Sequence, residues 1–388
     1  MIEVKAPGKI MLAGEWGVLE SGNSCIVLPV QKYVTVRIEA CHEAGCTETS
    51  SQQIIFNSRD IDLIGVALRW DGVSLANHAN ISQEQQSRFK PCFYAIQNSL
   101  QFLSEQGVAV KPFELTVISE ISNVSSNDSV KPGLIKPGLG SSAAVVVAVC
   151  KAILKFHDFD ADSVKNVDLI FKLACVSHYL AFEKLGSGFD VACSTYQKPI
   201  VYSRFDPEWL KSKLGFKIES KLEAKLEFEQ KISDVIFADW PKLEIKEIKI
   251  PENLRVLIGF TGCSSSTPKM IERMHKFRQE HFEQYQKFME AINSVVCKLS
   301  HALEYCDQAE IVDLINQNRD LLVQLSIEFG IELETQELKK LVEIAQRYGA
   351  AAKLSGAGGG DCGIAVCFDE LAAKKISDEW NCAGILSI

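Results

Sequence analysis

Apolar and polar residues alternate early in the chain, where Val34, Val36 and Ile38 fall on one face of residues 33–39. A period of two marks a strand with one buried face. Residues 2–5 and 24–28 read as strands as well, and 54–70 as further short ones. The period then lengthens. Phe93, Ile96, Leu100 and Leu103 share one side of a helix predicted over 90–106. Residues 113–118 predict a strand. Residues 119–138, rich in Ser, Asn, Pro and Gly, read as a long polar loop, a length that in a compact domain usually goes with function or mobility. Residues 141–156 follow as a helix apolar almost all round, hence buried, then a helix over 164–184 and a strand at 200–204.

Beyond this point the pattern weakens. Residues 211–250 are charged, with two candidate strands at 234–238 and 243–250. Residues 254–260 read as a buried strand, 269–304 and 308–329 as long helices, and 336–348 as a third that Gly349 ends. A strand at 362–368 precedes a short final unit. The first half is thus strand-rich with embedded helices and the second helix-rich with few strands. This predicts an α+β protein with an N-terminal domain over 1–205, a connecting segment over 206–250 and a C-terminal domain over 251–388.

Composition narrows the function. The 388 residues are 47% hydrophobic and 23% charged, a globular balance with room for two or three domains. The longest apolar run, 143–150, stops at Lys151, well short of a membrane span. The first residues lack the apolar core of a secretion signal. A net charge of −9 argues against nucleic-acid or anionic-membrane partners. The 13 cysteines are scattered and odd in number, so they read as reduced, core-filling thiols of a cytoplasmic protein. Cys41 and Cys46 flank His42, but no second pair completes a zinc site.

The chemistry gathers at four segments. Lys136-Pro137-Gly138-Leu139-Gly140-Ser141-Ser142-Ala143 opens the apolar helix. Glycines let backbone approach a ligand, and a helix start offers free N–H groups and partial positive charge to an anion. A serine-capped turn would use the same residues. The loop is not a Walker A motif, because Leu139 stands where that motif needs Lys. Gly356-Ala357-Gly358-Gly359-Gly360-Asp361 leads directly into the strand at 362–368, which is unusual for a mere connector. Ala6-Pro7-Gly8-Lys9 places a lysine in an expected turn between apolar segments. Gly186-Ser187-Gly188-Phe189-Asp190 places an acid after a flexible turn and before an expected strand.

In type and order these four segments resemble the GHMP kinase superfamily over nearly the whole chain. Within it, Ala6–Glu20, Gly186–Ala192, Asp239-Trp240-Pro241 and Gly262–Met270 are most similar to the branch whose acceptor is 5-phosphomevalonate. Mevalonate kinases usually carry Gly-Glu-His where this chain has Gly14-Glu15-Trp16. The resemblance implies a two-lobed fold with the active site in the cleft, an N-terminal lobe with a left-handed βαβ unit and a ferredoxin-like C-terminal lobe. It implies transfer of the γ-phosphoryl of ATP, with Mg²⁺, to a small phosphorylated molecule, and a monomer or homodimer.

The same resemblance implies roles for single residues. Lys9 and Asp190 would be catalytic. Pro137, Gly138, Leu139, Gly140, Ser141, Ser142 and Ala143 would hold ATP, with Ser142 also on the metal. Ser187, Gly188, Ser264, Ser265, Ser266, Thr267, Gly358, Gly359 and Asp361 would face the acceptor. Lys269 reads as a solvated first-turn lysine. The branch usually has Ala-Gln-Gly-Lys where this chain has Ala181-Phe182-Glu183-Lys184, so Glu183 is an acid without an assigned role. A kinase for an alcohol acceptor such as mevalonate, or a non-catalytic sensor on the same scaffold, are the alternatives.

Overall fold

The computed structural model describes residues 1–41, 53–77, 81–121, 137–215, 230–262 and 267–388. His42, Cys46 and most of the polar loop expected at 119–138 lie outside the described residues. Two layered bodies share the chain.

The first is built on a sheet of β1 (Ile2–Ala13), β2 (Ser24–Ala40), β3 (Gln53–Ser58), β4 (Leu63–Trp70), β5 (Leu75–Asn77), β6 (Phe113–Ser119), β7 (Ile200–Ser203) and β8 (Glu244–Glu247). Its order is β5-β4-β3-β6-β2-β7-β8, with β1 paired to β2. Only β3 and β6 run parallel; the other pairs are antiparallel. Six helices accompany it among the described residues: α1 (Gln83–Glu105), α2 (Ser141–Phe156), α3 (Val167–Phe182), α4 (Phe189–Tyr196), α5 (Pro207–Leu214) and α6 (Ile232–Phe237). Ser82 and Gln85 cap α1 reciprocally, which fixes its start. Helix α2 is central, packed on β1, β2, α1, α3 and α4, and its apolar circumference is what that position requires.

The second body runs β9 (Arg255–Phe260), α7 (Thr267–Glu280), α8 (Phe282–Tyr305), α9 (Gln308–Phe329), α10 (Gln336–Arg347), β10 (Ala351–Ser355), β11 (Cys362–Cys367), α11 (Glu370–Cys382) and β12 (Leu386–Ser387). Its antiparallel sheet has the order β10-β11-β9-β12, the ferredoxin-like arrangement.

Several local expectations change. The segments at 24–28 and 33–39 form one long strand, β2, because both halves find partners along β1. Residues 234–238 are not a strand: 234–237 belong to α6, where Ile232, Val235 and Ile236 turn one face to the core, and Ala238 caps it. Val235 and Ile236 are too few to distinguish the two periods. The helix expected at 269–304 divides at His281 into α7 and α8. The described cysteines are all free thiols, and most are buried. Burial pushes the Cys92 thiol up to about 12 and Cys150 to about 11, so neither offers a reactive thiolate.

The two bodies are pinned beside β1. Met11 N–H donates to Ser355 Oγ at 3.0 Å, and the Ser355 hydroxyl donates to Met11 O at 2.9 Å. Lys353 of β10 forms an ion pair with Glu15, and both side chains are fully withdrawn from solvent. Burial pulls the Lys353 ammonium below its usual range, and Glu15 opposes that. Replacing Lys353 by methionine strands a buried carboxylate, so unfolding in urea is expected to show a loss of about 3–5 kcal/mol. An unchanged midpoint would contradict this account of the joint.

Candidate active site

The site begins at a fault in β1. Pairing with β2 jumps from Pro7–Tyr33 to Gly8–Val30, which leaves Lys9 within the strand and not in the turn expected from sequence. Gly8 is required there. A Cβ on it would lie 2.8 Å from Leu139 O and 2.9 Å from Val30 Cγ2. This close approach lets Lys9 N–H donate to Leu139 O at 2.8 Å, binding the strand to the first glycine loop. The Lys9 ammonium, buried at 7% exposure, donates to Gly138 O at 3.0 Å and stands 5.4 Å from the Phe189 ring centre.

Gly140 is the N-cap of α2, with φ +79°, and it offers no side chain to the helix's first N–H groups. Those donors therefore remain for a ligand. A Cβ on Gly140 would lie 3.1 Å from Lys9 Cγ and 3.7 Å from Asp190 Cβ, which shows how closely the three residues gather. Gly140→Ala must adopt a left-handed conformation and push on Lys9. It is expected to cost about 1–3 kcal/mol and to lower kcat, checked by thermal unfolding and by turnover. Full activity with an unchanged Tm would show that the loop tolerates a side chain.

Asp190 lies in the first turn of α4 and not ahead of a strand. Gly188, at φ +86°, turns the chain into that helix, which packs on β1 and α2. Asp190 Oδ1 accepts from Val191 N–H at 2.9 Å. Tyr202 Oη donates to Ser187 O at 2.6 Å and would meet a Gly188 Cβ at 2.7 Å, so it holds the turn from beneath. Lys9 is thus oriented by Gly138, while Asp190 is held by its own helix.

The second glycine loop closes the opposite side. Gly138, at φ +63°, lies against Asp361, and a Cβ there would be 3.1 Å from Asp361 Oδ2. The Cys362 thiol donates to Pro137 O at 3.0 Å, and Asp361 O accepts from the Thr261 N–H and hydroxyl, each at 3.0 Å. Burial pushes Cys362 up to about 12. Gly358 and Gly359 turn elsewhere: Gly359 N–H donates to Leu333 O at 2.6 Å, and a Gly358 Cβ would strike the same oxygen. Asp361 therefore meets the first loop, while these two glycines lie against Leu333 of the C-terminal body.

Of the expected residues, Lys9, Pro137, Gly138, Leu139, Gly140, Ser141, Ser142, Ala143, Ser187, Gly188, Asp190 and Asp361 converge. Ser264, Ser265 and Ser266 lie outside the described residues, and Thr267 opens α7. Lys269 is exposed on that helix. Glu183 caps α3 in a left-handed conformation, φ +53°, and pairs with Lys90 at 3.1 Å.

Two cavities adjoin the loops. One of about 240 Å³ has Ile61, Pro91 and Val145 as apolar walls, Asp60 and Arg88 as polar ones, and Ser141 and Ser142 at the α2 start. Phe182, 45% exposed, stands at its edge. The other, about 110 Å³, is lined by Cys175, His178, Tyr179, Ser187, Asp190 and Phe205. A wider depression of about 910 Å³ between α10 and α11 is open, flanked by the Arg347–Glu379 pair, and carries none of the four loops. Sequence reasoning did not single out His178. Its Nε2 lies 3.3 Å from Ser142 Oγ. Burial holds its imidazole below the usual range, and the nearby Asp190 opposes this. An imidazole in the largely apolar run of α3 was the available signal.

Comparison with known proteins agrees with this geometry. The sequence pattern of "GHMP kinases N terminal domain" matches residues 90–198, and that of "GHMP kinases C terminal" matches 301–386. A phosphomevalonate kinase of Streptomyces sp. (strain CL190) is 28% identical over 99% of this chain and 95% of its own length. The solved Streptococcus pneumoniae phosphomevalonate kinase, in complex with phosphomevalonate and AMPPNP, superposes with a TM-score of 0.76 at 26% identity, covering 99% of this chain and 98% of that one. The Lin0012 protein of Listeria innocua superposes with a TM-score of 0.81 at 29% identity, over 100% of this chain and 96% of its own.

Proposed function

We propose, for a chain that belongs to the GHMP kinases, that it transfers the γ-phosphoryl group of ATP to the phosphate of 5-phosphomevalonate, giving 5-diphosphomevalonate and ADP. The observation that carries the reading is the meeting of Lys9, Asp190 and both glycine loops at the open start of α2. Full-length similarity to phosphomevalonate kinases supports the choice of acceptor.

In this reading the Gly138–Ala143 backbone and the α2 N-terminus cradle the triphosphate, and the cavity of about 240 Å³ takes the base. The donor set suits Mg²⁺, which prefers oxygen ligands and keeps water and substrate phosphates around it. Ser142 and Asp190 offer hard oxygens. When bound, the ion neutralises charge on the β- and γ-phosphates.

The acceptor phosphate has a second pKa near 6, so at neutral pH it is already mostly ionised. The obstacle is repulsion between two anions, not removal of a proton. Lys9, held at Gly138 beside the loop, supplies a fixed positive charge for the group in transfer. Asp190 orients the acceptor, and Ser187 and Gly188 bound its space. Among the described residues no helix is long and apolar enough to cross a membrane.

The test is release of ADP from Mg-ATP in a coupled assay with 5-phosphomevalonate and with mevalonate. Turnover with the phosphorylated acceptor alone is expected. Turnover with mevalonate alone would move the protein to the alcohol-acceptor branch, and ATP binding without turnover across isoprenoid and sugar acceptors would make it a sensor.

A further inference from the structure

We propose that His178 is a positioning residue of this site, holding the Ser142 hydroxyl so that its oxygen faces the cation carried by the triphosphate. The inference rests on the reading of Ser142 just given. Helix α3 packs against α2 and reaches its first turn through this ring, with Nε2 at 3.3 Å from Ser142 Oγ. The ring itself is held. Phe182, one turn farther along α3, covers it with 4.6 Å between ring centres and a 41° tilt. The imidazole also borders the small cavity lined by Asp190 and Ser187.

A serine hydroxyl has one hydrogen and two lone pairs. If that hydrogen goes to the imidazole nitrogen, both lone pairs are left for a cation. Without such a partner the hydroxyl rotates and can turn its hydrogen toward the metal. Glu183, the acid at the end of α3, is drawn away to Lys90 at 3.1 Å and supplies no substitute. Support behind a ligating oxygen commonly governs metal affinity about 10–100-fold.

The experiment measures ATP binding by calorimetry in EDTA and across an Mg²⁺ titration, with the Mg²⁺ dependence of turnover alongside. It compares the wild type with His178→Ala, His178→Gln, Ser142→Ala and the double variant Ser142→Ala/His178→Ala. His178→Ala is expected to raise the half-saturating Mg²⁺ about tenfold. ATP affinity in EDTA should stay within about twofold, and glutamine, whose side-chain oxygen can accept the same hydrogen, should recover most of the loss. The double variant should match Ser142→Ala, because one residue acts through the other. A raised requirement in Ser142→Ala with none in His178→Ala would overturn the role of His178 alone. So would additive losses in the double variant, or a parallel fall in metal-free ATP affinity. An unchanged requirement in Ser142→Ala would remove the serine from the metal and overturn both readings.

Discussion

Lys9→Ala is expected to lower kcat by about two to three orders of magnitude while the KM for ATP moves by no more than about threefold. The ammonium is fixed in advance: the strand fault at Gly8 carries it to the loop, and Gly138 O, 3.0 Å away, sets its direction. A charge that need not reorganise acts most strongly on the group in transfer, where two anions must approach. The nucleotide keeps its other contacts, because the backbone of 138–143 and the α2 N-terminus are untouched. Steady-state kinetics with varied ATP, plus binding of a non-hydrolysable analogue, separate these effects. Near-normal turnover would remove Lys9 from the chemistry. A loss confined to ATP affinity would make it only a nucleotide contact.

The second large effect is expected at Asp190. Asp190→Ala should reduce kcat about a hundredfold or more, again with little change in ATP affinity. Asp190→Asn distinguishes orientation from proton transfer. The amide keeps the shape and an acceptor oxygen, so a positioning role predicts partial recovery over alanine. An ionised acceptor gives no reason for a new pH dependence in that variant. A deep loss in asparagine that is relieved as pH rises would instead identify Asp190 as a general base. A near-normal rate in alanine would take it out of the site.

The four glycine-bearing segments were legible because glycine carries a local cost that only a turn or close contact repays: a Cβ on Gly8 would strike Leu139 O, and one on Gly138 or Gly140 would crowd Asp361 or Lys9. The surroundings of Lys9 and Asp190 were less so. A lysine after Pro7-Gly8 looks like a turn residue until β2 supplies a partner on both sides of the fault. Phe189–Tyr196 looks like a strand by its apolar run, yet Gly188 and packing on β1 and α2 make it a helix. The larger cavity joins residues from β3 to α3, each ordinary in its own stretch, and only the fold brings them together. His178 shows the same limit: its meaning comes from the hydroxyl it meets across two helices.

The decisive measurement is a structure of the protein with Mg²⁺ and a non-hydrolysable ATP analogue. The triphosphate is expected along Gly138–Ser142, the γ-phosphate between Lys9 and Asp190, and the base in the cavity beside Arg88. A nucleotide bound elsewhere, with the two glycine loops empty between the bodies, would contradict it.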